Sequence, residues 1–172
     1  MGTGGSYQGP HMVTEALHSS RYRVYESDDL AGVQLAGAMV PVLATLVGLA
    51  HHLPGAGMGV HALVLTRGLE EASRLAVATG ADPRTFAGLA GIGDLVAAQS
   101  QPDHPHYLAG RALAAGDRAL GPILLARALL SRARHLGIEM PLTEGLVAIY
   151  DGHAPIDAVQ RLMARAPTAE RR

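Results

Sequence analysis

The chain has 172 residues, of which 48% are apolar, 17% charged and 3% aromatic, and its formal net charge is −1. This length suits one domain with a single core, and the charge provides no electrostatic footprint for nucleic acid or an anionic membrane. Cysteine and lysine are both absent, so all 14 of the Lys and Arg residues are arginine. These absences exclude disulfides, thiolate catalysis and any reaction that needs a lysine ammonium or Schiff base. The scarcity of aromatic residues predicts a core of small aliphatic side chains.

The ends of the chain differ from its middle. Residues 1–12 are glycine-rich and aperiodic, which predicts a flexible, tag-like segment, and residues 167–172 should fray. Between them, residues 13–166 are predicted to form one helical domain. Residues 21–26 alternate like a short strand, although no partner strand is evident. No secretory signal is visible, so we expect a cytoplasmic protein.

Two long helices are predicted next. The first covers about 30–52 and contains Pro41, which removes one backbone donor and should kink it. Polar residues and this proline interrupt its apolar run, so no membrane span is predicted. His51 and His52 end this helix, where the helix dipole would stabilise a protonated imidazole ring. The second helix, about 60–79, has an apolar stripe and Arg–Glu pairs four residues apart.

Shorter helices follow, each introduced by a proline, a glycine or a polar turn. They are predicted at about 82–89, 91–100, 106–115, 122–136, 141–150 and 155–164. Strands and helices do not alternate, and no G-x-G-x-x-G follows a strand. The sequence therefore predicts an all-α fold without a Rossmann domain.

Five motifs in order resemble one family. They are YRVY at 22–25, GVQLAGA at 32–38, LTRGL at 65–69, DPRTFAGLAGIGDLV at 82–96 and GIEMPLTE at 137–144. Their order and spacing resemble the C-terminal domain of bacterial NAD-dependent glycerol-3-phosphate dehydrogenases over about residues 13–165. The resemblance implies a multi-helix fold of the 6-phosphogluconate-dehydrogenase C-terminal type, a homodimer, and a site facing a Rossmann domain. It also implies that Asp94 belongs to that site, and we expect no cofactor in this chain.

The chain departs from this family at positions that carry chemistry. The family's catalytic Lys-Asn falls on Val40 and Pro41, a threonine falls on Ala98, and the phosphate-binding Arg-Asn pair falls on Pro105 and His106. Ketone reduction by hydride needs a proton donor for the developing alkoxide, which valine cannot be. Proline offers a phosphate neither charge nor N–H. We therefore expect that this chain alone is not an active glycerol-3-phosphate dehydrogenase.

The retained polar residues allow several interpretations. Asp94 is either a site acid or a carboxylate in the first turn of a helix. His104 and His106 are two solvated loop residues, or His106 forms an acid/base pair with Asp94, or both histidines bind a metal. His61 is read as an exposed or packed residue. The residues expected to line the former cleft are Val40, Pro41, Ala98 and His104.

Three hypotheses about function remain open. The chain is a degenerate domain that dimerises or binds a small molecule, a repurposed lyase, isomerase or cyclase that uses Asp94 and His106, or an excised half of a longer dehydrogenase-like protein. The second requires Asp94 and His106 within hydrogen-bond reach in an enclosed pocket, and the third requires an exposed apolar face. In each case we expect a homodimer and a small-molecule ligand, and neither nucleic acid nor membrane as a partner.

Overall fold

The computed structural model describes residues 9–101, 103–119 and 121–164. This part of the chain is all-helical and contains no strand, as the sequence predicts. The helices are α1 (Gly9–Leu17), α2 (Leu30–His52), α3 (Met58–Ala78), α4 (Asp94–Ser100), α5 (Pro105–Ala114), α6 (Ile123–His135), α7 (Pro141–Tyr150) and α8 (Pro155–Met163). A 3-10 turn (Pro83–Ala87) and a π turn (Leu89–Gly93) connect α3 to α4.

The N-terminal region differs from the expectation. Helix α1 starts at Gly9, so residues 9–12 are helical although the sequence suggested an aperiodic segment. Residues 21–26 are in irregular structure and do not form the strand that their alternation suggested. The rest of the tag-like segment, residues 1–8, and the tail 167–172 lie outside the described residues.

Helix α2 is the centre of the fold. Its nine residues from 42 to 50 are all buried, and Asp29 caps its start by accepting a hydrogen bond from the Gly32 amide at 2.9 Å. The helix continues through Pro41; the carbonyl that loses its partner there belongs to Gly37, which is exposed to water. Its length and mean hydropathy of 1.9 would suffice to cross a membrane, but 56% of that stretch is buried against the rest of the protein, as in a core helix.

A close approach of two helix backbones joins α2 to α5. A Cβ placed on Gly110 would lie 2.0 Å from the carbonyl oxygen of Thr45, and one on Gly48 would lie 2.2 Å from the carbonyl oxygen of Tyr107. The two backbones therefore touch at glycines, where no side chain separates them. This contact brings Tyr107 to the C-terminal end of α2.

A buried carboxylate attaches α3 to α7. Glu71 is 1% exposed and accepts hydrogen bonds from the Leu142 amide at 2.5 Å, the Thr143 amide at 3.2 Å and the Thr143 hydroxyl at 2.9 Å. It thus satisfies free N–H groups at the start of α7 from a distant part of the chain. Burial raises the pKa of Glu71 to about 7, against the lowering effect of these hydrogen bonds.

Candidate functional site

The structure does not bring the predicted acid/base pair into hydrogen-bond contact. Asp94 is the exposed first residue of α4, and His106 is half-buried in the first turn of α5. Burial and the neighbouring His104 lower the pKa of His106, while the charge of Asp94 raises it to a smaller extent. Within the described residues, neither a hydrogen bond nor an ion pair joins Asp94 to His106. The repurposed-enzyme hypothesis therefore lacks the convergence that it requires.

The residues expected to line the former cleft are mostly enclosed by protein. Val40 is 4% exposed and Ala98 is 1% exposed, and both belong to the hydrophobic core. Pro41 is half-buried, and its carbonyl accepts a hydrogen bond from the Thr45 hydroxyl at 2.9 Å. His104 is half-buried, and its Nδ1 is enclosed without a hydrogen-bond partner in the described structure. Core packing thus takes up two of the four positions, those of Val40 and Ala98.

Two cavities lie away from all six of these predicted site residues. An open groove of about 230 Å³ lies between α3 and the segment of the 3-10 and π turns, with Glu70 and Ile92 among its lining residues. A narrow apolar crevice of about 30 Å³ lies between α2, α3, α7 and α8. Neither cavity combines the charged and hydrogen-bonding groups that a phosphorylated substrate needs.

A different set of polar side chains meets where α2, α3, α4 and α5 come together. Nδ1 of His51 lies 2.8 Å from the Tyr107 hydroxyl, and Nε2 of His51 lies 3.1 Å from Nδ1 of His61. Nε2 of His61 lies 3.1 Å from Oε1 of Gln99. We call these four residues the histidine cluster. It is a continuous hydrogen-bonded chain that reaches the protein surface, because His51 is exposed.

The partners in the histidine cluster fix its hydrogen positions when both rings are neutral. The carbonyl oxygen of Gln99 only accepts, so Nε2 of His61 carries a hydrogen and Nδ1 of His61 has a lone pair. Nε2 of His51 then donates to His61, and the Tyr107 hydroxyl donates to Nδ1 of His51. Burial lowers the pKa of His51, and the neighbouring His61 and His52 lower it further. The arrangement therefore favours the neutral form of the His51 ring.

The histidine cluster is not among the sites that the sequence predicts. The sequence favours His51 as a cation at a helix end, whereas the structure gives the ring two side-chain partners and a lowered pKa. His52 does bind the end of the helix, through Nδ1 at 2.9 Å from the Gly48 carbonyl oxygen. A usable signal existed: one short loop, residues 53–57, connects α2 to α3. It places His51 and His61 at the same end of a packed helix pair.

No group of three or more histidine, aspartate or glutamate side chains is placed to hold a metal ion in the part of the chain that the structure describes. The rings of His104 and His106, suggested as ligands by their spacing, have centroids 5.5 Å apart and lack a bonded carboxylate. A site with a complete set of protein ligands is therefore not formed by these residues.

Comparison with known proteins identifies the family. The family model described as the NAD-dependent glycerol-3-phosphate dehydrogenase C-terminus matches residues 29–161. The chain belongs to this family. Glycerol-3-phosphate dehydrogenase [NAD(P)+] of Acidovorax sp. (strain JS42) is 41% identical over 92% of this chain, and that of Symbiobacterium thermophilum is 42% identical over 89%.

Solved structures agree with the family assignment. A crystal structure of glycerol-3-phosphate dehydrogenase from Coxiella burnetii aligns with 93% of this chain at a TM-score of 0.82 and 32% identity. The chain spans 51% of the Acidovorax protein, 48% of the Symbiobacterium protein and 52% of the Coxiella chain. It therefore corresponds to about half the length of these glycerol-3-phosphate dehydrogenases, and that half has the helical fold.

Proposed function

We propose that this chain is a glycerol-3-phosphate-dehydrogenase C-terminal domain that does not catalyse ketone reduction and that serves as a dimerising, small-molecule-binding unit. The observation that carries this proposal is Val40. The resemblance implies a catalytic lysine at this position, and the chain has a core valine that is 4% exposed. Lysine is absent from this sequence, so no other ammonium side chain of this chain can substitute for it.

The histidine cluster does not take over the role of the lysine. Along α2, His51 lies 11 residues beyond Val40, which corresponds to about 16 Å at the helical rise per residue. A general acid must come within about 3 Å of the atom that it protonates. The histidine cluster is therefore too far away to protonate an alkoxide held beside Val40. It supports the binding part of the proposal, because its hydrogen-bonding groups reach the surface.

Exposed apolar side chains support the dimerising part of the proposal. They recur on the first turns of α2, on the π turn and on α4, and Leu30 and Leu89 are 67% and 65% exposed. Large apolar residues on neighbouring elements are typical of surfaces that contact another protein. The same feature favours the hypothesis that the domain is one half of a longer dehydrogenase-like protein. The members of this set are Leu30, Val33, Leu89, Ile92 and Val96.

A chimeric protein tests the loss of catalysis. The N-terminal half of the Acidovorax relative is fused to this chain, and oxidation of NADH by dihydroxyacetone phosphate is measured. The intact relative is the control, and NADH fluorescence reports whether the nucleotide half has folded. We expect the chimera to bind NADH and to oxidise it no faster than the blank, because the proton donor is absent. Oxidation above the blank would overturn the proposal.

A further inference from the structure

We propose that the histidine cluster is a pH-sensitive switch, which attaches the start of α3 to the end of α2 and releases it when the two rings bind a second added proton. The attachment is the hydrogen bond of 3.1 Å between Nε2 of His51, in the last turn of α2, and Nδ1 of His61, in the first turn of α3. This bond exists only while one of the two facing nitrogens lacks a hydrogen. The inference does not depend on the loss of dehydrogenase activity.

One added proton leaves every hydrogen bond of the cluster in place. It enters at Nδ1 of His51, which in the neutral cluster accepts from the Tyr107 hydroxyl at 2.8 Å. The hydroxyl then turns, and its oxygen accepts the new hydrogen. Nε2 of His51 still donates to His61, and Nε2 of His61 still donates to Gln99. The singly protonated cluster therefore stays closed.

A second added proton has no place in this arrangement. The remaining basic nitrogen is Nδ1 of His61, which already accepts the hydrogen of His51. Protonation there would direct two N–H groups at each other across 3.1 Å, between cationic rings whose centroids are 3.9 Å apart. The hydrogen bond is lost and like charges repel at short range, so the two rings must move apart.

The other groups on α2 and α3 add to this repulsion. Burial lowers the pKa of His51, and the charges of His61, on α3, and His52, on α2, lower it further. His52 is itself fixed near the pair, because its Nδ1 lies 2.9 Å from the Gly48 carbonyl oxygen. The positive charges on these two helices therefore oppose double protonation of the pair.

Helices α4 and α5 do not offset the second charge. They face the pair with an amide, that of Gln99, and a phenol, that of Tyr107, both of which are uncharged. The titratable residues at their starts are Asp94 and His106, and the charge of Asp94 acts on His106. Neither is among the charges that act on His51. The doubly protonated pair is thus left without a compensating carboxylate.

The segment that the switch releases is loosely packed. Residues 53–57 join α2 to α3, and a Cβ placed on Gly55 or Gly57 would meet no atom within 4 Å. Met58, the first residue of α3, is 78% exposed. His61 is therefore an important attachment of this end of α3 to α2. Loss of its bond to α2 should open the segment while the core beneath it stays folded.

Hydrogen exchange of the full chain, measured by mass spectrometry at pH 7.5 and pH 5.0, tests the proposal. The rates are corrected for the intrinsic effect of pH on amide exchange. We expect residues 53–61 to exchange roughly fivefold faster at pH 5.0, which is the factor that one lost hydrogen bond produces. Peptides from α6 are the internal reference and should show no such change. Equal corrected rates for residues 53–61 at the two pH values would overturn the proposal.

Two substitutions at His51 separate protonation from simple loss of the contact. His51→Gln keeps a donor and an acceptor but has no titrating group, so residues 53–61 should exchange slowly at both pH values. His51→Ala removes the hydrogen bond, so the same residues should exchange fast at both. His153→Ala removes an exposed histidine between α7 and α8 and is the matched control, with the pH dependence of the wild type. A wild-type pH dependence in His51→Gln would show that another group titrates, and the proposal would fail.

Nuclear magnetic resonance of the ring nitrogens follows the protons directly. We expect the pair to bind its two protons in separate steps, because a charge on one ring opposes a charge on the other. The faster exchange of residues 53–61 should accompany the second step. Faster exchange that accompanies the first step, or uptake of both protons in one common step, would contradict the proposed order. Circular dichroism checks the fold of every variant.

Discussion

Glu71 shows at the residue scale how burial and hydrogen bonding oppose each other. Its carboxylate accepts three hydrogen bonds from the start of α7, which favours the charged form, yet burial outweighs them and raises its pKa to about 7. Because the pKa is higher in the folded chain than in the unfolded one, folding favours the protonated carboxyl. This stabilising contribution is complete below 4.5, the ordinary pKa of a glutamate carboxyl, and is lost as the pH rises through about 7.

The pH dependence of stability therefore tests Glu71. We expect the free energy of unfolding to fall by roughly 2.5 kcal/mol between pH 5 and pH 9, because the carboxyl must ionise while it is buried. The Glu71→Gln variant, which mimics the protonated form, should show a flatter profile over the same range. Urea denaturation at several pH values measures both profiles. Parallel profiles for the wild type and the variant would contradict this role of Glu71.

The site residues show how far single positions were predictable. The sequence places Val40 and Ala98 on the lining of a cleft, whereas the structure buries both side chains in the core. The separation of Asp94 from His106 did not follow from the sequence, because the distance between two helix starts depends on how α4 and α5 pack. The Tyr107–His51 contact was equally hidden, since it joins side chains 56 positions apart.

At the element scale, the fold depends on the glycine contact between α2 and α5. Replacing Gly110 by alanine would place a methyl group 2.0 Å from the Thr45 carbonyl oxygen. Since the obstacle is helix backbone, the two helices must move apart. We expect Gly110→Ala to destabilise the chain by about 3 kcal/mol, which corresponds to a decrease in Tm of roughly 6–12 °C for a chain of this size. Thermal unfolding followed by circular dichroism measures the change.

Gly37 is the matched control for Gly110. It also lies in a helix, α2, but a Cβ there would meet no atom within 4 Å. Gly37→Ala should stabilise the chain by about 0.5–1 kcal/mol, because alanine favours the helix and nothing must move. If Gly110→Ala proved as stable as Gly37→Ala, the close contact between α2 and α5 would be refuted.

The predictability of the helices depended on whether their ends are encoded locally. Prolines mark the starts of α7 and α8, and Asp29 caps α2, so the sequence placed these ends within a few residues. The region 91–100 was predicted as one helix, but it divides into the π turn and α4. The backbone folds tightly back on the 3-10 turn at this point, since a Cβ on Gly91 would lie 2.3 Å from the carbonyl oxygen of Phe86.

At the scale of the whole molecule, the exposed apolar side chains of α2, the π turn and α4 require an explanation. Their burial against a second copy would remove them from water at about 25 cal/mol per Å² of apolar surface. We therefore expect a homodimer, with twice the chain mass of 17.8 kDa. Size-exclusion chromatography with light scattering measures the mass. A monomer that persists at high protein concentration would contradict the prediction.

The sequence by itself determined the all-helical class, the family, the absence of lysine from this chain and the approximate helix boundaries. These properties follow from composition, local periodicity and the order of short motifs, which act over a few residues. Only the tertiary structure decided which polar groups meet. It buried Val40, kept Asp94 and His106 out of hydrogen-bond contact, and joined His51 to His61. Such encounters depend on the packing of backbones at positions such as Gly48 and Gly110, which local sequence patterns do not encode.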